Sequence, residues 1–106
     1  MRWYDSLRRR AEIAYVRRRG RPASQATLTA YLAEPGGPRS RFGVTVSSHV
    51  GKAVVRNLVR RRIKGALDAL PPPARPFRVL IVAKPAAAAA PYERLAADLV
   101  RALGAS

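Results

Sequence analysis

Residues 52–70 read Lys-Ala-Val-Val-Arg-Asn-Leu-Val-Arg-Arg-Arg-Ile-Lys-Gly-Ala-Leu-Asp-Ala-Leu, with no proline and a single glycine. At about 100° per residue, Val55, Val59, Ile63, Ala66, Leu67 and Leu70 fall on one side of a helix. Arg56, Asn57, Arg60, Arg61 and Lys64 fall on another, inside an arc of roughly 140°. Leu58 and Arg62 flank the two faces. The spacing predicts a helix over 52–69 that buries one side and offers a nearly continuous cationic side. Pro71-Pro72-Pro73 ends it, because proline cannot continue a helix.

Upstream, residues 26–33 and 41–47 each alternate. Leu28, Ala30 and Leu32 oppose Thr27, Thr29 and Tyr31; Phe42, Val44 and Val46 oppose Gly43, Thr45 and Ser47. That is the period of half-buried strands, and the two runs are expected to pair as a hairpin across a loop at 34–40. Ser47-Ser48-His49-Val50-Gly51 breaks the second run, with room for one more short strand near 46–50. Downstream, Phe77–Ala83 is apolar on both faces apart from Arg78, which suits an interior strand. Lys84-Pro85 and the alanines lead into a helix over about 91–103, with Leu95, Leu99 and Leu103 at spacing four. At the other end, Asp5 and Ser6 are suitable caps for an arginine-rich helix over about 6–18, stopped by Gly20 and Pro22. The order is α-β-β-α-β-α. A three- to four-stranded sheet packed with three helices makes an α+β fold, expected to occupy residues 1–106 as one domain.

Composition bounds the function. The 106 residues carry 21 Lys and Arg against 6 Asp and Glu, a net charge of +15. A small protein so charged repels itself and gains by lying against a polyanion. Nucleic acid is the first candidate and an anionic membrane surface the second. With no cysteine and one histidine, His49, disulfides, thiol catalysis and multi-histidine metal sites are excluded. No apolar run reaches the roughly 18–20 residues needed to span a bilayer, and the first residues hold no apolar signal core. A cytoplasmic location is expected. The acids Asp5, Glu12, Glu34, Asp68, Glu93 and Asp98 form no close motif of the kind that holds metal for phosphodiester cleavage.

The aligned cations are the strongest signal, because each one that neutralises a phosphate releases counterions. Arginine adds a fork of donors suited to phosphate oxygens. Asn57 is a poor helix former in the middle of that row, which points to a polar contact with RNA or with a neighbouring loop. Tyr31 reads, taken alone, as a strand tyrosine packed beneath a helix with its hydroxyl in water. His49 reads as a surface turn residue or one that faces a phosphate.

The block Arg41-Phe42-Gly43-Val44-Thr45-Val46-Ser47, then Val50-Gly51-Lys52-Ala53-Val54-Val55-Arg56-Asn57, then Arg60-Arg61, resembles the signature of the bacterial ribonuclease P protein component. Phe77–Ala83 followed by Lys84-Pro85, and Leu7…Val16…Gly20, are similar to that family's apolar strand and opening helix. The resemblance covers nearly the whole chain. It implies a basic helix joining two parallel strands by a left-handed crossover, a hand that is otherwise rare. It also implies a partner, the catalytic ribonuclease P RNA, and a substrate, precursor tRNA, whose 5′ leader the complex removes. The RNA would do the chemistry with Mg²⁺ held mainly by RNA and none by the protein alone. No membrane or DNA partner is expected.

Residue by residue, the resemblance puts Lys52, Arg56, Asn57, Arg60, Arg61, Arg62 and Lys64, with His49 in the turn before them, against the catalytic RNA. Tyr31, Ile13, Arg17 and Arg10 would line the leader-binding cleft, which moves Tyr31 from packing toward stacking. No residue is assigned to catalysis or metal binding. Leu58 stands where the family usually has a second arginine after Arg56-Asn57. Ile13 and Arg17 stand where it commonly has phenylalanines, so stacking from that helix is weaker here. The competing reading is a ribosomal or other structured-RNA-binding protein without a nuclease role.

Overall fold

A computed structural model describes residues 4–33, 39–71 and 76–104. The 34–38 part of the expected loop and Pro72 and Pro73 of the proline stop lie outside them. Five strands, β1 (Tyr4–Ser6), β2 (Arg21–Ser24), β3 (Leu28–Ala33), β4 (Ser40–Thr45) and β5 (Arg78–Ala83), form one sheet in the order β1-β4-β5-β3-β2. The helices are α1 (Arg10–Arg19), α2 (Ala53–Asp68) and α3 (Tyr92–Gly104), with a 3₁₀ turn at Pro85–Ala88.

β5 occupies the middle, as its two apolar faces require. It runs parallel to β4 and antiparallel to β3. Val79, Ile81 and Ala83 join Leu28, Ala30, Leu32 and Phe42 in the main core, where α2 supplies Val59, Ile63, Ala66 and Leu67 and α3 supplies Leu95, Leu99 and Ala102. Each fully buried Val, Leu or Ile there contributes about 1.5–3 kcal/mol. Leu80 emerges on the opposite face with Ala33, Leu7 and Val16 of α1. The sheet is therefore covered by α2 and α3 on one side and by α1 on the other.

The expected hairpin does not form: β5 lies between β3 and β4. Alternation shows that a strand has a buried face, not which strand lies beside it, and the doubly apolar β5 gains most from the central place. Two further strands sit at the edges rather than near 46–50, where Val46 and Val50 are buried in the core outside any strand. β2 is antiparallel to β3, and its Arg21 and Pro22 suit a blunt edge. β1 replaces the expected start of the first helix and pairs in parallel with β4. Tyr4 decides this: its ring meets Phe42 edge-on at 5.3 Å and its hydroxyl donates to Asp68 Oδ1 at 2.6 Å. Asp5 and Ser6 are thus in a strand, and the residue that caps α1 is Arg9, without a side-chain bond.

Two glycines are needed where they stand. A Cβ on Gly20 would lie 2.4 Å from the Val16 carbonyl oxygen, where α1 turns into β2. Gly51 has φ +155° in the turn that launches α2.

Asp98 ties α3 to the start of β3. It is buried, and its Oδ2 accepts from the Thr27 hydroxyl at 2.6 Å and the Thr27 N–H at 3.1 Å. Arg101 and Arg94 approach Oδ1 at 3.2 and 3.5 Å. Burial alone would raise this carboxyl, but the two Thr27 bonds and the two arginines together outweigh it and hold it below the usual range. A depressed folded-state value gives stability that is present above the unfolded carboxyl's value of about 3.9 and is lost as pH falls through the lower folded value. Asp98→Ala strands two buried donors and is expected to cost about 3 kcal/mol, roughly a 10–20 °C fall in melting temperature. Asp98→Asn should show a smaller loss of stability than the natural chain as pH falls below about 4; thermal melts from pH 7 to pH 2.5 measure both.

Candidate RNA interface

The 16 residues of α2 present the cation row that their spacing predicts. Lys52 caps the helix and is exposed; Asn57, Arg61 and Lys64 are exposed and Arg56 and Arg60 half-buried. Among the described residues no carboxylate pairs with any of these cations. Arg56 Nε is buried without a hydrogen-bond partner among them. His49 is exposed in the turn before the helix.

Two members differ from the simple row. Arg60 Nη1 donates to Asn57 Oδ1 at 2.9 Å, so the asparagine's polar contact within the protein is one helical turn away and not with a neighbouring loop. That bond orients both side chains and leaves the asparagine NH₂ to donate elsewhere. Arg62 is half-buried and donates to the Ala90 carbonyl at 3.1 Å, tying α2 to the alanine segment before α3. Its position on the flank of the basic face made this use possible; the acceptor, 28 residues away, was not visible in the sequence.

The second surface lies on the other side of the sheet. Ile13, Tyr15, Tyr31 and Val82 are partly buried around Leu7, Val16, Ala33 and Leu80. Tyr31 stands in register between Pro22 and Leu80. The next cross-strand row is Thr29, Val82 and Thr45. Arg10, Ile13 and Arg17, at spacings of three and four, share one flank of α1, with both arginines exposed. Of the residues assigned to a cleft, Ile13 and Tyr31 pack against one cluster where α1 lies on the sheet, and Arg10 and Arg17 are exposed on α1.

A cluster that the sequence reading missed holds α1 there. Glu12 Oε2 accepts from Arg41 of β4 at 2.7 Å and lies 3.8 Å from Arg78 of β5. The Arg78 guanidinium sits 4.7 Å from the centre of the Tyr15 ring, a cation–π distance. The one available signal was that Glu12 is the sole acid within an arginine-rich helix.

The model of the family described as Ribonuclease P matches residues 1–105. The chain belongs to the ribonuclease P protein family. It is 40% identical over 102 residues to the ribonuclease P protein component of Acidothermus cellulolyticus, covering 92% of this chain and 84% of that one. Against the Streptomyces bikiniensis protein component it is 41% identical over 112 residues, covering 93% and 89%. The fold matches the Staphylococcus aureus RNase P protein at TM-score 0.84 and 18% identity, over 94% of this chain and 93% of that one. The Thermotoga maritima RNase P protein gives TM-score 0.82 at 17% identity, over 96% and 97%. A ribonuclease P protein is one component of a tRNA-processing ribonucleoprotein endonuclease, and its partner is the ribonuclease P RNA.

In this ribonuclease P protein, the double reversal Arg60→Glu, Arg61→Glu is expected to weaken binding to ribonuclease P RNA by more than about 10-fold at moderate salt. Melting temperature should stay nearly unchanged, since Arg61 is exposed and the half-buried Arg60 makes its bond to Asn57 on the helix surface. Filter binding and a thermal melt check the pair of outcomes.

Proposed function

We propose that this protein binds ribonuclease P RNA through the α2 face and the 5′ leader of precursor tRNA through the cleft between α1 and the sheet. The carrying observation is the placement of these surfaces on opposite faces of one sheet. RNA lying along α2 leaves the α1 side of the sheet open to a second segment. Lys52, Arg56, Asn57, Arg60, Arg61 and Lys64, with His49 at the edge, meet the catalytic RNA. Arg62 serves mainly to fix α2. Tyr31 and Ile13 offer apolar surface to leader bases, and Arg10 and Arg17 offer charge to its phosphates.

The chemistry is assigned to the RNA, with Mg²⁺ held mainly there. What supports this is how the protein uses its acids. Asp5 faces Arg39, Glu12 holds Arg41 and Arg78, Asp68 accepts from Tyr4, and Asp98 is spent on Thr27 and two arginines. These carboxylates neutralise arginines or satisfy hydroxyls and do not converge. The protein's part is to add positive charge and leader contacts, which lowers the Mg²⁺ that the RNA needs.

Cleavage of a 5′-extended precursor tRNA at low Mg²⁺ tests the reading, with the protein alone, a bacterial ribonuclease P RNA alone, and both. Cleavage at the mature 5′ end only in the mixture is the expected result. A protein that neither stimulates nor binds that RNA specifically would return the chain to general RNA binding. Tyr31→Leu, which keeps apolar bulk beside Leu80 but removes the ring, should weaken binding of precursor about 5-fold or more, the loss of one base stack. Mature tRNA should bind as before; equal losses for both would make Tyr31 a packing residue only.

A further inference from the structure

The outermost line of α2 is not cationic throughout. Val54 is 80% exposed and Leu58 37% exposed, along the edge of the basic surface. Valine is a weak helix former, so full exposure at this position gives the fold nothing that Lys or Arg would not give better. With Asn57, Arg60 and Arg61, Val54 lines a shallow groove on the helix surface. The groove follows spacings of three and four along one side of α2 and runs about 10 Å from Val54 to Arg61 at ~1.5 Å per residue. One end is apolar, the middle carries an amide and the rim carries two guanidinium groups.

A phosphate track alone has no use for the valine. A paired RNA strand would bring phosphates to the rim and leave the apolar end in water. An unpaired nucleotide supplies what the groove lacks: a flat apolar face for Val54, a polar edge for Asn57 and phosphates for the arginines. The Asn57 carbonyl oxygen already accepts one bond from Arg60 at 2.9 Å. Its NH₂ keeps both donors for a base edge that presents an acceptor. The cations along the rim favour a polyanion over another basic protein surface.

Resting on the reading of α2 as the face for ribonuclease P RNA, we infer that this groove takes one unpaired nucleotide of that RNA, with its base against Val54 and its edge on Asn57. Arg61 and Arg60 hold the flanking phosphates. The groove thus reads a local structure in the RNA, and the rest of the row supplies general affinity.

Salt titrations of binding to full-length ribonuclease P RNA separate the two contributions. Val54→Ser removes the methyl contact without touching charge. It should bind roughly 5-fold more weakly while the slope of log affinity against log salt stays that of the unsubstituted protein. Asn57→Ala should weaken binding at unchanged slope even though alanine favours the helix, so its melting temperature should not fall. Arg61→Ala should lower the slope by about one. Chemical probing should show an unpaired nucleotide that is protected by the natural protein and exposed with Val54→Ser. Unchanged affinity of Val54→Ser, with Arg61→Ala behaving as stated, overturns the groove and leaves α2 a phosphate track. A loss with Val54→Ser that comes with a lowered slope overturns it as well. If the unsubstituted protein binds this RNA no better than a control hairpin, the ribonuclease P reading fails and the groove's assignment falls with it.

Discussion

Strand β5 has apolar side chains on both faces, and the rest of the structure follows from the need to cover them. Val79, Ile81 and Ala83 need one layer and Leu80 needs another. Helices α2 and α3 make the first, and α1 makes the second. A sheet covered on one side only would leave Leu80 in water, at a loss of about 1.5–3 kcal/mol. The same arrangement puts the outer face of α2 and the residues around Tyr31 beside α1 on opposite sides of the sheet.

Charge is distributed to match. The chain has 21 cations and 6 acids. Where acids are used, they sit at joints. Glu12 docks α1 onto β4 and β5, and Asp98 fastens α3 to β3. Asp68 receives the hydroxyl of Tyr4 and so locks the edge strand to the end of α2. Self-repulsion at +15 disfavours the compact state, and these few carboxylates offset it where elements meet. Among the described residues no carboxylate neutralises the exposed row on α2, which is the state that a polyanion rewards by counterion release.

Much of the fold was legible in the residues. The helix over 52–69 and the strand over 77–83 differ from α2 and β5 by a residue at each end or less, because their patterns are long and strongly periodic. The cation row was legible for the same reason, and so was the burial of Val59, Ile63 and Leu67. The edge strands were not. β1 has three residues and β2 four, too short to show a period, and each exists because a neighbour offers a ladder. Of the site residues, Arg62 was read as part of the basic surface. Its guanidinium instead turns to Ala90, a partner brought near by the turn of the chain after β5.

What the sequence determined by itself is what lies within a few residues of chain: helical and strand periods, the faces they expose, and the sign of the charge along them. Those suffice for the α+β class and for a basic helix suited to RNA. Only the tertiary structure decided the strand order, the placing of α1 against Arg41 and Arg78, and the burial of Asp98 against Thr27. The Glu12–Arg41 contact joins residues 29 apart and Asp98–Thr27 joins residues 71 apart. A local pattern records that a side chain needs burial or a partner. It does not record which distant residue meets that need, because that is settled by the packing of all the elements together.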